Sequence, residues 1–232
     1  MTIVQNRRDF IGIAAGVALA TGASGALAQG GAPKAEYAIK KLPFDPAKIK
    51  GLSEKLLVSH YENNYSGAVK RLNAISAQLA SLDMANAPVF VVNGLKREEL
   101  IAANSMIIHE LYFDGLGGEG DPKGPLAEAI ARDFGSLARW KAEFAAMGRA
   151  LGGGSGWVLL TWSPHDKRLI NTWAADHTMT LANGRPILAL DMYEHAYAMD
   201  YGAKAAAYVD AVLQAIRWDN AASLFDKYSR EA

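Results

Sequence analysis

The chain carries five histidines and no cysteine. The stretch DMYEHAYAMD, residues 191–200, puts Asp191, Glu194 and His195 within one short segment, directly after the apolar run Ile187-Leu188-Ala189-Leu190. Two more histidines, His60 and His109, fall on apolar stripes at helical spacing. Three neutral imidazoles and a carboxylate form a nitrogen–oxygen ligand set suited to a first-row ion such as iron or manganese. Thiolate zinc and iron–sulfur sites are excluded because there is no cysteine. A histidine on a buried stripe is also at home as a satisfied core residue, so spacing alone leaves both readings open. His165 lies in the polar turn SPHDK and reads as a solvated residue. His177 lies in the loop that follows a strand.

These residues need elements to carry them. From about 52 to 80, Leu57, His60, Tyr61, Asn64, Tyr65, Ala68, Val69 and Leu72 recur at three- and four-residue steps and predict one helix. Pro88 and Asn93-Gly94 mark a turn region at 83–96. A second helix follows at about 97–114, with Ile101, Ser105, His109 and Tyr112 on one face. The Gly/Pro-rich GLGGEGDPKGP, 115–125, is the best internal boundary. Helices fit 125–134 and 136–150. WVLLTW (157–162) and RLINTWA (168–174) form a hairpin, PILAL (186–190) is a third strand, and a helix at about 203–218 closes the pattern. The fold class is therefore α+β: an N-terminal long antiparallel helical hairpin, then a C-terminal α/β domain with a small three-stranded antiparallel sheet. The expected domains are 43–116 and 122–232, preceded by a linker or extended arm at 29–42.

Composition narrows the function classes. Half the residues are hydrophobic and the formal net charge is zero. No basic block suggests nucleic-acid binding. Residues 1–28 read as a secretory signal, with Arg7-Arg8-Asp9-Phe10-Ile11 as a twin-arginine opening and Ala26-Leu27-Ala28 before the cut. This predicts use of the twin-arginine export machinery and a periplasmic location. The leader's Gly- and Ala-rich apolar stretch is weak for a permanent membrane span.

From about 42 to 228 the chain resembles the iron/manganese superoxide dismutase family. DMYEHAYAMDY (191–201) resembles its metal signature D-x-W-E-H-A-Y, and FGSLARWKAEF (134–144) and GSGWVLL (154–160) resemble its central segments. The resemblance implies one iron or manganese ion per subunit, with iron slightly favoured, held by His60, His109, Asp191 and His195. It implies conversion of two superoxide radicals to dioxygen and hydrogen peroxide. It also implies a homodimer in which Glu194 reaches the partner's last ligand histidine. The residues it places around the ion are Trp157 and Tyr193, with Asn64 and Tyr197 in the surrounding layer and interface.

The chain departs from the family pattern near the substrate path. Asn64 and Ala68 stand where a gateway His and Tyr are usual, and Ala198 where the partner's tyrosine is usual. Tyr193 and Phe113 replace tryptophans. Ser105 replaces the glutamine of iron enzymes, and the glutamine of manganese enzymes falls near Asp176-His177. His177 is the residue expected to bond the metal-bound solvent. The second reading is a metal-binding homologue of the family with lost or altered activity.

Overall fold

The structure is a computed structural model that describes residues 35–231. The leader expected at 1–28 and residues 29–34 of the arm lie outside the described residues. The described part of the arm runs extended over the helices that follow. Tyr37 and Asn73 exchange hydrogen bonds of 2.8 and 2.9 Å, and Ser76 Oγ donates to the Ala35 carbonyl at 3.0 Å.

Ser53 starts the first helical run by accepting the Leu56 N–H on its hydroxyl at 3.1 Å, as N-cap serines do. The run expected as one helix has three parts: α1 (Glu54–Ser59), a π-helical turn (His60–Tyr65) and α2 (Ser66–Ser81). In the π turn the Ser66 N–H reaches back to the Tyr61 carbonyl. Such a turn widens the helix and is common at functional sites. Here it begins at His60 itself.

The next helix, α3 (Val89–Asp114), starts well before residue 97 and passes straight through Asn93-Gly94. The turn expectation fails there for a physical reason. Asn-Gly turns the chain when strands flank it, whereas a glycine inside a helix costs only about 1 kcal/mol relative to alanine. Pro88 sits at the N-cap, and the buried C-terminal half of α3, from Ala102 to Phe113, secures the rest against α2. Together α2 and α3 form the expected helical hairpin.

Beyond Gly115 come α4 (Gly124–Phe134) and α5 (Leu137–Ala150), the latter capped by Ser136. Three antiparallel strands follow, β1 (Trp157–Ser163), β2 (Arg168–Ala174) and β3 (Arg185–Asp191), in the order β2-β1-β3. All of β1 is buried, as a central strand covered on both faces requires. Its register sets Trp157 directly opposite Asp191, so pairing alone brings a tryptophan beside a carboxylate. A short 3-10 turn (Glu194–Ala196) leads into α6 (Ala198–Tyr201) and α7 (Ala205–Gln214).

The helix expected at 203–218 ends early, and a further helix, α8 (Trp218–Arg230), follows it. The break is made by distant partners. Gly117 N donates to the Ala215 carbonyl at 2.9 Å and Arg217 N to the Gly115 carbonyl at 2.8 Å. One core joins the helical hairpin to the sheet, with Leu57, Tyr112, Trp140, Trp157, Leu190 and Tyr208 all fully buried. Among the described residues no helix is long and apolar enough to cross a membrane.

Candidate metal centre

Four elements bring one ligand each. The π turn supplies His60, α3 supplies His109, the end of β3 supplies Asp191, and the following 3-10 turn supplies His195. One donor atom from each lies within 4.8 Å of the other three. Asp191 Oδ2 is at the centre, 3.1 Å from His60 Nε2, 3.2 Å from His195 Nε2 and 3.6 Å from His109 Nε2. The four residues expected from the sequence therefore converge.

The surroundings set their protonation. His109 Nδ1 donates to the Ser105 carbonyl at 2.6 Å, which leaves Nε2 with a lone pair facing the cluster. Burial pushes the His109 imidazole down to about 3, helped by the nearby His60. His60 is pushed down by burial as well. For Asp191, burial alone would raise the carboxyl, but the His195 and His60 imidazoles beside it outweigh this and hold it well below the usual carboxylate range. Its Oδ1 also accepts the Tyr193 N–H at 2.8 Å. Neutral imidazoles and an ionised carboxylate are the states a cation needs.

The fit to a metal rests on buried nitrogens. Both ring nitrogens of His60 and Nε2 of His109 are buried without a hydrogen-bond partner. Each such orphan costs about 1–3 kcal/mol. A cation bound by the two Nε2 atoms, Asp191 and His195 would remove most of that penalty. Nitrogen and oxygen donors in this mixture fit iron or manganese.

An aromatic cage encloses the cluster. Trp157 meets the His109 ring edge-on at 5.1 Å and Tyr112 lies 5.2 Å from the His60 ring. His177, Tyr193 and His195 form a stack, with centroids 4.8 and 5.3 Å apart. Trp157 Nε1 donates to His177 Nδ1 at 3.0 Å. Indole N–H is donor only, so His177 Nδ1 is the acceptor and its proton sits on Nε2. The Asn104 amide fixes the same residue by donating to its backbone carbonyl at 2.6 Å.

The remaining sequence candidates have distinct places. His165 is exposed in the β1–β2 turn, paired with Asp166, and takes no part. Asn64, Ala68, Ser105 and His177 line an open cleft of about 240 Å³. Tyr197 is buried and accepts the Gly153 N–H on its hydroxyl at 3.1 Å. Glu194 is exposed, and His195 keeps 26% of its side chain exposed. Sequence reasoning missed Ser105's carbonyl as the anchor of His109, because a backbone acceptor leaves no residue-type signal. Tyr112's contact with His60 was hidden too, although its helical phase beside His109 could have suggested it.

Residues 122–224 match the family described as iron/manganese superoxide dismutases, C-terminal domain. The chain is 70% identical over 189 residues to a superoxide dismutase [Fe] of Cupriavidus metallidurans, covering 82% of this chain and 96% of that protein. It is 33% identical to superoxide dismutase [Mn] 1 of Haloferax volcanii, over 83% of this chain and 96% of the relative. A superoxide dismutase [Fe] of Aquifex pyrophilus is also 33% identical, over 78% and 88%. With four ligands converging in the cage described above and relatives this similar over nearly their whole length, the chain belongs to the iron/manganese superoxide dismutase family.

Proposed function

We propose that the protein is a superoxide dismutase using one iron or manganese ion held by His60, His109, Asp191 and His195. The observation that carries this reading is the convergence of those four side chains with buried imidazole nitrogens left unpaired. When bound, the ion supplies a one-electron couple that oxidises one superoxide to dioxygen and reduces the next, which with two protons becomes hydrogen peroxide. The family holds ions of either kind, and the 70% identical relative is named for iron, so iron is the slightly favoured metal.

The chain's own residues set the conditions. Asp191 offsets the ion's charge with one carboxylate. The Ser105 carbonyl orients His109, and outer hydrogen bonds of this kind tune a metal's affinity and potential. Trp157, Tyr112 and Tyr193 exclude bulk water. His177, with its proton held on Nε2 by the Trp157 bond, is the donor we assign to the metal-bound solvent. The cleft at Asn64, Ala68 and Ser105 is the route for a small anion. Because Ala68 carries no hydroxyl and no tyrosine among the described residues lines this cleft, protons on this side travel by water.

The subunit arrangement and address belong to the same proposal. An exposed Glu194 beside a partly open His195 suits a homodimer in which each Glu194 orients the partner's ligand histidine. The leader at 1–28 suits twin-arginine export to the periplasm. The test is superoxide decay with the chain from residue 29 onward, loaded separately with iron and manganese. Rapid decay with one metal supports the reading. Tight metal binding with no acceleration by either would instead favour a homologue that has lost dismutation.

A further inference from the structure

Among the described residues, Arg71, Arg97, Arg132, Arg149, Arg217 and Arg230 each pair with a carboxylate. The Arg185 guanidinium lies over the Tyr228 ring at 5.9 Å. Arg139 and Arg168 are the described arginines left with neither kind of partner, and both line one open cleft of about 260 Å³.

The cleft lies where three elements meet, away from the metal cluster. Arg139 stands in the first turn of α5, Arg168 begins β2, and Asp133 lies at the end of α4. Asn171, buried in β2, ties the strand to α5. Its side-chain oxygen accepts the Trp140 Nε1–H at 3.0 Å, and its Nδ2 donates to Glu143 Oε1 at 3.0 Å. That bond holds Glu143 in the cleft wall and leaves Oε2 without a partner among the described residues. Asp133 is already satisfied. It takes the Arg132 fork at 2.7 Å on each oxygen and the Leu169 N–H at 2.7 Å.

The unmet groups are therefore two guanidiniums and one carboxylate oxygen. Guanidinium forks match the oxygens of a phosphate. A bare oxyanion would satisfy them but would face the Glu143 carboxylate. A hydrogen phosphate meets all three, because its ionised oxygens accept from the arginines and its P–OH donates to Glu143 Oε2. The carboxylate thus works against any oxyanion with no proton to give. Sulfate has none at neutral pH, and a phosphate monoester loses its second proton at about pH 6. Inorganic phosphate keeps at least one hydroxyl. One water needs about 10–15 Å³ of such space, so the cleft has room for a tetrahedral oxyanion and its hydration.

We propose that this cleft is a binding site for inorganic hydrogen phosphate, with Arg139 and Arg168 holding its charge and Glu143 selecting the protonated oxyanion. None of these residues belongs to the metal centre, so the proposal stands apart from the dismutase reading.

The test is titration calorimetry of the full, iron-loaded chain at neutral pH and matched ionic strength, with sodium phosphate, sodium sulfate and methyl phosphate in turn. Phosphate is expected to bind at one site per chain, with sulfate and methyl phosphate weaker by about tenfold or more. Arg168→Gln should weaken phosphate by about tenfold or more, because a charge-assisted contact is lost. Glu143→Gln keeps an amide oxygen for Asn171 and should bring sulfate up to the affinity of phosphate. No phosphate binding, or sulfate bound as tightly as phosphate by the unaltered chain, overturns the proposal. So does an affinity unmoved by Arg168→Gln, which would put the anion at the metal centre or elsewhere on the surface. Continued rejection of sulfate by Glu143→Gln overturns the selecting role. If circular dichroism shows Arg168→Gln unfolded, Arg139→Gln decides by the same criterion.

Discussion

His109 illustrates how the centre is built at the scale of single residues. Its Nδ1–H points to the Ser105 carbonyl at 2.6 Å, with the Ser105 hydroxyl farther off at 3.3 Å, so the backbone carbonyl is the main group that chooses the ligand nitrogen. Ser105→Ala should therefore leave metal content unchanged, and metal analysis of that variant checks it. Protonation gives a second prediction, for the metal-free protein. The His109 pKa in the folded chain is about 3, below its ordinary 6.5. Below pH 6.5 the unfolded chain binds a proton that the folded chain refuses, so stability falls as pH drops from 6.5 towards 3. Urea unfolding across that window should show falling midpoints, and a flat profile would contradict the buried neutral imidazole. His177→Ala should shift the metal's reduction potential, measured by redox titration, because it removes the donor assigned to bound solvent. Asp191 and His195 were legible in a specific motif, whereas His60 and His109 were legible only as histidines on helical stripes that the family resemblance made into ligands. The Trp157 bond that fixes the His177 tautomer was not, since it joins residues of the sheet and a distant loop.

At the scale of elements, strand register and one glycine do most of the positioning. Gly156 precedes β1 with φ +135, and a Cβ there would stand 2.3 Å from the Ala174 carbonyl. Its own carbonyl accepts the Met192 N–H at 2.9 Å, tying the strand's start to the segment between Asp191 and Tyr193. Gly156→Ala should cost about 1–3 kcal/mol from backbone strain alone, read as a lower unfolding midpoint, and should loosen metal binding. The strands were readable because short apolar runs bounded by turn residues are local signals. The π turn at His60–Tyr65 was not, because it keeps an ordinary amphipathic stripe. The start of α3 was misplaced because tertiary packing carried a helix through a turn dipeptide. The break before α8 came from hydrogen bonds to the 115–117 segment, which no local pattern reports.

At the scale of the whole molecule, the core spans the helical hairpin and the sheet, so the metal cluster sits where the two meet and every ligand arrives from a different element. That convergence was legible only through the family resemblance; composition and periodicity supplied separate elements without their meeting point. The proposed dimer is argued at this scale. Glu194→Ala should weaken self-association, seen by sedimentation as a shift towards the monomer, and lower metal retention through the neighbouring subunit's His195. The account's central claim, dismutation by an ion at these four ligands, is tested most directly by measuring the superoxide decay rate against iron loading in stopped flow. The account predicts a rate that rises in proportion to iron up to one ion per chain and stays at the uncatalysed level in Asp191→Asn. Full loading at one ion per chain with superoxide still decaying at the uncatalysed rate would contradict it.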